Sequence, residues 1–208
     1  MKILIADDHA IIRRGLREIL LDEYPSAVIG DAADAEELVK KVFEDDWDLV
    51  ISDLSMPGRS GLDALKQIKQ SFPKLPVLIM SIYPEDQYAV RTFRAGASGY
   101  FNKNSIHEEL FKAIETVRKG KKYISPTVAE KLADAFPSDQ NSTPHQSLSD
   151  REFEVFKLLA SGKTVSEIAT QLSLSANTVS TYRSRILEKM HMHTNNELMR
   201  YALEQKLL

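Results

Sequence analysis

The chain has 208 residues, of which 43% are hydrophobic and 27% are charged, as in a globular protein rather than a disordered or fibrous one. It contains no cysteine, which excludes disulfides and thiolate metal sites and is consistent with a reducing cytoplasm. No apolar stretch approaches the roughly 20 residues of a membrane span, and the N-terminus lacks the pattern of a signal peptide, so we expect a cytoplasmic protein without membrane contact.

The net charge of −3 argues, taken alone, against a nucleic-acid-binding protein. The charges are unevenly distributed, however, because the acidic residues concentrate in the first half of the chain. Positions 173–194 hold Arg183, Arg185 and Lys189 against a single acid, Glu188. A local basic surface is what a nucleic-acid-binding segment requires, so the total charge does not exclude this function.

Residues 1–120 alternate between short apolar runs and longer amphipathic stretches. The apolar runs are mostly unbroken, as in parallel strands covered on both faces, and they lie at 2–6, 27–30, 48–53, 76–81 and 98–101. Helical periodicity fills the intervals, at 9–22, 34–45, 60–71, 85–95 and 105–119. Ser105 with Glu108 predicts a capping box at the start of the last helix. Five repeats of strand and helix predict an α/β fold with a doubly wound, five-stranded parallel sheet.

The rest of the chain has a different pattern. A short helix is predicted over 126–135, and the polar segment 136–147, which contains two prolines, predicts a flexible linker. Beyond it the pattern is only helical, with helices at 149–160, 164–172, 176–190 and 195–206. Ser149 with Glu152 forms a second predicted capping box, and Ser175 is placed to cap the third of these helices. We therefore predict three parts: a first domain (1–122), an extension and linker (123–147), and an all-α four-helix domain (148–208).

Polar residues follow the predicted strands at the points where the strands end. The carboxyl ends of parallel strands meet at one edge of the sheet, where ligands bind, and the residues placed there are Asp7, Asp8, Asp53, Ser81 and Lys103. Carboxylates crowded together would take up protons unless a cation kept them ionised. Oxygen ligands without cysteine or a suitable set of histidines favour Mg²⁺. The sequence therefore predicts a magnesium site at this edge.

The same arrangement suggests chemistry on a phosphoryl group. A carboxylate can attack phosphorus to give an aspartyl phosphate, and a metal ion with a lysine would neutralise the charge that develops. Asp53 is the best placed nucleophile, because the turn at Pro57-Gly58 directs the chain away from it. Each residue also has an ordinary explanation, as a helix cap, a turn residue or a surface lysine. The five together, in chain order at the strand ends, favour a functional site.

The first domain resembles the receiver domain of two-component response regulators over its whole length. The motifs that carry the resemblance are DDH at 7–9, DLSMPG at 53–58, Ser81, and GASGYFNK at 96–103. The resemblance implies a flavodoxin-like receiver in which Asp53 is the phosphoacceptor and Lys103 pairs with the phosphoryl group. It implies Mg²⁺ ligated by Asp8, Asp53 and the backbone carbonyl of Ser55, with Asp7 acting mainly through a water.

The resemblance also implies that Ser81 and Tyr100 form a switch pair, in which the hydroxyl moves to the phosphoryl group and the aromatic ring rotates inward. The alternative for Tyr100 is a half-buried aromatic residue of a strand. One position departs from the family, since receivers usually have proline after the lysine and this chain has Asn104. A cis peptide bond without proline costs several kcal/mol, so the geometry of this loop stays open.

Residues 164–190 predict a helix-turn-helix, whose second helix enters the major groove with its N-terminal residues at the base edges. The residues predicted to contact DNA are Asn177, Thr178, Ser180, Thr181, Tyr182, Arg183, Ser184, Arg185 and Lys189. The three basic side chains among them would bind phosphates. The pattern alone is equally compatible with an ordinary four-helix bundle whose basic face is solvated.

The second domain resembles the LuxR-type effector domain of the NarL/FixJ subfamily, through LSDRE at 148–152, Gly162, EIA at 167–169 and TV at 178–179. This resemblance implies a dimerisation helix at the C-terminus, with Leu198, Tyr201 and Ala202 as contact residues; packing within the monomer is the alternative. Ser180 and Tyr182 stand where the family commonly has a basic residue and a histidine, which predicts a weaker salt dependence of DNA binding.

Together, these features predict a two-component response regulator that controls transcription and is not an enzyme. A sensor histidine kinase, or a small phosphodonor, would phosphorylate Asp53, and the phosphorylated protein would bind promoter DNA as a homodimer. Two alternatives are a regulator that acts through receiver dimerisation without phosphorylation and, with less support, a phosphatase that turns over an aspartyl phosphate.

Overall fold

A computed structural model describes residues 1–83, 85–125, 128–129, 143–205 and 207–208, without the side chains of 85–87. The chain forms two compact units, Met1–Phe136 and Pro137–Leu208. No helix in the described part of the chain has both the length and the apolar character needed to cross a bilayer.

The first unit contains a five-stranded sheet in the order β2-β1-β3-β4-β5, and all its strand pairs are parallel. The strands are β1 (Lys2–Ala6), β2 (Val28–Ala32), β3 (Leu49–Asp53), β4 (Val77–Ser81) and β5 (Gly99–Asn102). The three central strands are almost completely buried, which is why their sequences are unbroken apolar runs. The predicted doubly wound parallel sheet is confirmed.

A helix follows each strand. The helices are α1 (Ala10–Glu23), α2 (Ala35–Glu44), α3 (Gly61–Ser71), α4 (Glu85–Arg94) and α5 (Ile106–Arg118). On one face of the sheet, Leu20 of α1 and Ile114 of α5 belong to the same buried cluster as Ile5 and Met80. Alternate strand residues such as Val50 and Ile79 project to the opposite face and are also fully buried.

Two details of the first unit differ from the sequence predictions. The second strand continues to Ala32, two residues beyond its apolar run, because Asp31 binds Arg17 of α1 (2.6 Å) while its backbone pairs with β1. The capping box predicted at Ser105 is wrong. A short 3-10 helix over Lys103–Ser105 precedes α5, and the Ser105 side chain makes no capping hydrogen bond.

In its described residues the second unit forms four α-helices: α6 (Asp150–Ala160), α7 (Val165–Gln171), α8 (Ala176–Lys189) and α9 (Asn195–Glu204). The capping box of Ser149 with Glu152 is confirmed, and Ser175 caps α8 through the backbone N–H of Thr178. Phe153, Ile168, Val179 and Ile186 are buried at the centre of the four helices. The helix-turn-helix pair is therefore α7 and α8.

The predicted helix over 126–135 and most of the predicted linker lie outside the described residues; Val128 and Ala129, which are described, are helical. The end of the predicted linker has regular structure. Pro144–Ser147 forms a 3-10 helix, and His145 Nδ1 lies 2.8 Å from the Tyr201 hydroxyl of α9. His145 also packs beside the ring of Phe153, so this segment is part of the second unit.

Candidate functional site

The register of the sheet brings the predicted polar residues to one edge. Ala6, the last residue of β1, pairs with Ser52, so that Asp7 and Asp53 follow at the same level. Asp53 pairs with Met80, and the next residue of that strand is Ser81, which pairs with Asn102. Four parallel strands therefore end side by side, and their following residues meet at the carboxyl edge.

Lys103 lies between two carboxylates of this edge. Its ammonium group is 2.7 Å from Asp7 Oδ2 and 2.9 Å from Asp53 Oδ2. The side chains of Asp7 and Asp53 are buried, with exposed fractions of 0% and 5%, and that of Lys103 is 11% exposed. The residues are separated by 46 to 96 positions along the chain, so only the fold places these charges in contact.

Burial has opposite effects on the two kinds of charge. It raises the pKa of Asp53 to about 6, and Asp7 adds to this, although Lys103 and the backbone N–H of Ser55 stabilise the ionised carboxylate. Burial alone would lower the pKa of Lys103, but the charges and hydrogen bonds of Asp53 and Asp7 outweigh it, so the pKa of Lys103 is raised. The lysine is therefore positively charged in this site.

Asp8 offers a binding position for a cation. Its Oδ1 atom is buried and accepts no hydrogen bond in the structure, although the ring nitrogen Nδ1 of His9 is 2.8 Å away. Ligand atoms of Asp7, Asp8 and His9 all lie within 4.8 Å of one another. A buried carboxylate oxygen that accepts no hydrogen bond, within an acidic group, is what a metal ligand provides, so the residues present fit Mg²⁺.

Arg13 supports the acidic edge from α1, and sequence reasoning missed it. Its Nη1 atom donates to the backbone carbonyl of Asp7 (2.6 Å), and its Nε atom is 3.4 Å from Asp31. The side chain is 17% exposed. The sequence places Arg13 on a predicted helix, four residues after His9. It does not indicate that the side chain contacts Asp7, directly after β1, and Asp31 of β2.

The backbone around Asp53 is fixed by two glycines. Gly58 has a φ of +71° and allows the turn after Pro57. A Cβ atom on Gly61 would lie 1.9 Å from the carbonyl oxygen of Asp53, and the Gly61 N–H donates to the carbonyl of Leu54 (2.9 Å). The chain after β3 thus leaves the edge and returns close to the backbone of Asp53.

Ser81 and Tyr100 are connected through the peptide groups of Tyr83. The Tyr83 N–H donates to Ser81 Oγ (3.1 Å), and the Tyr100 hydroxyl donates to the carbonyl of Tyr83 (2.9 Å). Both Ser81 and Tyr100 are completely buried. Tyr100 is therefore in an inward position rather than half-buried, with its hydroxyl at the loop that follows β4.

The loop after β5 retains its lysine without a proline. No cis peptide bond occurs in the described residues, so Lys103–Asn104 is trans. Asn102 Oδ1 accepts a hydrogen bond from the Asn104 N–H (2.9 Å) and caps the short 3-10 helix. The absence of proline at position 104 therefore does not displace the lysine, because Lys103 still reaches Asp7 and Asp53.

The second unit presents the polar face of α8. Asn177, Ser180, Thr181, Ser184, Arg185 and Lys189 are exposed, whereas Thr178, Tyr182 and Arg183 are partly buried. Two of the three basic side chains have partners within the unit. Lys189 Nζ is 2.6 Å from Glu152, and Arg183 Nε donates to Asn195 (2.8 Å). Arg185 is the basic residue most directly available to a phosphate.

The packing of α9 differs from the predicted dimerisation contacts at two residues. Leu198 and Ala202 are completely buried within the unit, so their side chains offer no surface to a second copy. Helical periodicity identified the apolar face of α9 but not what it packs against. Tyr201 is partly exposed and bonded to His145, and the exposed apolar residue of this helix is Leu203, at 62%.

These sites agree with two family matches. Residues 3–115 match the family described as response regulator receiver domain, and residues 146–202 match that described as bacterial regulatory proteins, luxR family. The chain belongs to the response regulators that join a receiver domain to a LuxR-type DNA-binding domain. Proteins of this class are DNA-binding transcription regulators controlled by phosphorylation, not classical enzymes; sensor kinases and DNA are their partners, and they dimerise.

Known relatives cover the full chain. It is 41% identical to the oxygen regulatory protein NreC of Staphylococcus carnosus (strain TM300), over 100% of this chain and 99% of that protein. The structure resembles that of RcsB from Salmonella enterica serovar Typhimurium bound to promoter rprA in the presence of phosphomimetic BeF3-, with a TM-score of 0.63 and 27% identity, covering 97% of this chain and 98% of the other. Another RcsB–DNA complex gives a TM-score of 0.59 and 29% identity, with coverages of 97% and 96%.

Proposed function

We propose that Asp53 is the phosphoacceptor of this response regulator. The observation that carries the proposal is the buried arrangement of Asp53, Lys103 and Asp7 at the carboxyl edge of the sheet. A carboxylate near a charged lysine, at the end of a strand and next to an open turn, can attack a phosphorus atom and have the resulting charge neutralised in place.

Asp8 and Asp53, with the backbone carbonyl of Ser55, are the proposed ligands of Mg²⁺. The Oδ1 atom of Asp8, which is buried and accepts no hydrogen bond, supports this assignment. Both oxygens of Asp7 already accept hydrogen bonds, from Lys103 and from His9, which supports an indirect role through a water. When bound, Mg²⁺ would offset the charge of the carboxylates and of the phosphoryl oxygens.

The transfer itself needs few protein groups. An Asp53 oxygen forms a bond to phosphorus while the bond from phosphorus to the phosphohistidine nitrogen of the kinase, or to the acyl oxygen of acetyl phosphate, breaks. Lys103 lies 2.9 Å from Asp53 Oδ2 and is placed to pair with the transferred group. Ser81 and Tyr100 would then respond as the switch pair, with Tyr83 as the residue that both contact.

The output is binding of promoter half-sites by a homodimer. The relatives with DNA in their structures support this part of the proposal. The proposed domain limits are 1–122 for the receiver, 123–147 for the extension and linker, and 148–208 for the helix-turn-helix domain. The last residues of the linker, Pro144–Ser147, pack against this last domain. The proposed DNA contacts remain the polar face of α8, led by Arg185. Because promoter DNA is the partner, we place the protein in the cytoplasm.

Asp53→Asn tests the assignment of the phosphoacceptor. Incubation with acetyl phosphate and Mg²⁺ should add one phosphoryl group to the wild-type protein, and none to the variant, as measured by intact mass. Asp46→Asn removes an exposed carboxylate of the same domain and should be labelled as the wild type is. Normal labelling of Asp53→Asn would remove the assignment, and multiple turnover of a phosphate ester would favour a phosphatase instead.

A further inference from the structure

The side chain of Asn102 makes hydrogen bonds to two different loops of the site. It lies directly before Lys103 at the end of β5. Its Oδ1 atom accepts from the Asn104 N–H (2.9 Å), and its Nδ2 atom donates to the carbonyl of Tyr83 (3.3 Å). One amide side chain thus connects the loop after β5 with the loop after β4.

The first of these bonds holds the backbone on both sides of Lys103. Asn102 is the N-cap of the 3-10 helix that begins at Lys103, and capping residues fix the direction in which the chain enters a helix. This bond requires an N–H at position 104. Proline has none, so Asn104 permits a capping contact that the proline usual in receivers would prevent.

The second bond joins this loop to the switch pair. The carbonyl of Tyr83 accepts hydrogen bonds from Tyr100 and Asn102, while the N–H of Tyr83 donates to Ser81 Oγ. The backbone of Tyr83 is therefore in contact with the hydroxyl and the aromatic residue of the pair and with the residue that precedes the lysine. A displacement of Ser81 or of Tyr83 would be transmitted to Asn102 through these bonds.

We propose that Asn102 is a positioning residue with two separable roles. Its oxygen holds Lys103 at Asp53, and its amide nitrogen couples the lysine loop to the switch loop. This inference rests on the proposed phosphorylation of Asp53. In metal sites, loss of an outer partner that orients a ligand typically costs about 10- to 100-fold in affinity or activity. By analogy with the lower end of that range, loss of the cap should slow phosphorylation by about 10-fold.

Three variants separate the two roles. Asn102→Ser keeps a capping oxygen but is too short to reach Tyr83, and Asn104→Pro removes the N–H donor while Asn102 can still reach Tyr83. Asn102→Ala loses both bonds. The measurements are the initial rate of phosphorylation by acetyl phosphate with Mg²⁺, by intact mass, and the increase in DNA affinity on phosphorylation. Trp47 fluorescence, from the only tryptophan of the chain, first confirms that each receiver is folded.

The two roles predict a crossed result. Asn102→Ser should be phosphorylated within about twofold of the wild-type rate but gain less DNA affinity on phosphorylation. Asn104→Pro should be phosphorylated about 10-fold more slowly, with a wild-type gain in DNA affinity once labelled. General destabilisation would impair both properties in both variants, and that outcome would overturn the proposal. If Asn102→Ala does not fold, the comparison of Asn102→Ser with Asn104→Pro still tests the proposal.

Wild-type rates and wild-type gains in all three variants would also overturn the inference, while leaving the proposed function intact. If the wild-type protein itself were not labelled, the proposed function would fail, and the inference with it. Labelling of the wild-type protein therefore shows whether only the inference about Asn102 has failed or the proposed function has failed as well.

Discussion

Lys103 compensates two buried carboxylates with one positive charge. Asp7 and Asp53 are 0% and 5% exposed at their side chains, and each lies within 3 Å of the same ammonium group. Removing one partner of a buried ion pair leaves an uncompensated charge, which is far more costly than the net value of the pair itself. The lysine is therefore important for stability even before any phosphoryl group is present.

We predict that Lys103→Met destabilises the metal-free receiver by about 3 kcal/mol. Methionine has a similar length but cannot neutralise Asp7 and Asp53. Mg²⁺ should reduce the difference, because the cation compensates the same carboxylates and binds only to the folded state. Urea denaturation followed by Trp47 fluorescence, with and without Mg²⁺, measures both effects.

Lys74→Met is the matched control, since Lys74 is exposed and lies outside the acidic edge. It should change the stability by less than about 0.5 kcal/mol. Equal stabilities of Lys103→Met and the wild-type protein would show that the carboxylates are compensated in another way.

At the scale of the elements, α6 and α8 are joined by an ion pair. Glu152 accepts from the Ser149 N–H (2.7 Å) within the capping box of α6, and the same oxygen is 2.6 Å from Lys189 at the end of α8. Burial alone would raise the pKa of Glu152, but the hydrogen bonds from Lys189 and Ser149 outweigh it, and its pKa is lowered. The folded domain therefore prefers the ionised form.

We predict that Glu152→Gln destabilises the second unit by about 1 kcal/mol at neutral pH, since Lys189 is 42% exposed and the pair is partly screened. The lowered pKa means that the stabilisation is present above the ordinary value of 4.5 and is lost as the pH falls through the folded-state pKa. The difference between variant and wild type should therefore shrink as the pH falls below 4.5.

Thermal unfolding followed by far-ultraviolet circular dichroism measures this difference. Trp47 lies in the first unit, so its fluorescence identifies the unfolding transition of the receiver. The remaining transition then belongs to the second unit. Glu188→Gln removes an exposed carboxylate of α8 and serves as the control. A deficit of Glu152→Gln that stays constant down to pH 3 would contradict the role of the charge.

Considered as a whole molecule, the chain divides its two candidate sites between two units. The carboxylates that would hold a cation lie at the edge of the sheet, whereas the exposed basic residues of α8, Arg185 and Lys189, lie in the other unit. Neither unit can perform the proposed function alone, because one accepts the phosphoryl group and the other binds DNA. Phosphorylation must therefore change a property of the whole chain.

We predict that phosphorylation increases the affinity for promoter-containing genomic DNA fragments, and that Asp53→Asn abolishes the increase without abolishing basal binding. Titrations with and without acetyl phosphate, at a fixed salt concentration, measure this coupling. Arg185→Gln should weaken binding in both states, because a phosphate contact contributes irrespective of phosphorylation. An affinity that does not respond to phosphorylation would favour the alternative in which receiver contacts alone regulate the protein.

The sequence by itself determined the order and type of the elements and the edge at which the site lies. Strand and helix periodicities are local properties, so boundaries such as Lys2–Ala6 and Gly61–Ser71 follow from short segments. The convergence of Asp7, Asp53 and Lys103 also followed, since parallel strands necessarily present their carboxyl ends on one side. The resemblance to receivers added the roles of these residues.

Only the tertiary structure decided which groups these residues contact. Periodicity showed that Leu198 and Ala202 share an apolar face, but whether this face meets its own domain or a second copy depends on segments distant in the sequence. The contact of His145 with Tyr201 and the two bonds of Asn102 likewise join separate segments. Hydrogen bonds require positions accurate to a few tenths of an ångström, and such positions are fixed only once all elements have packed.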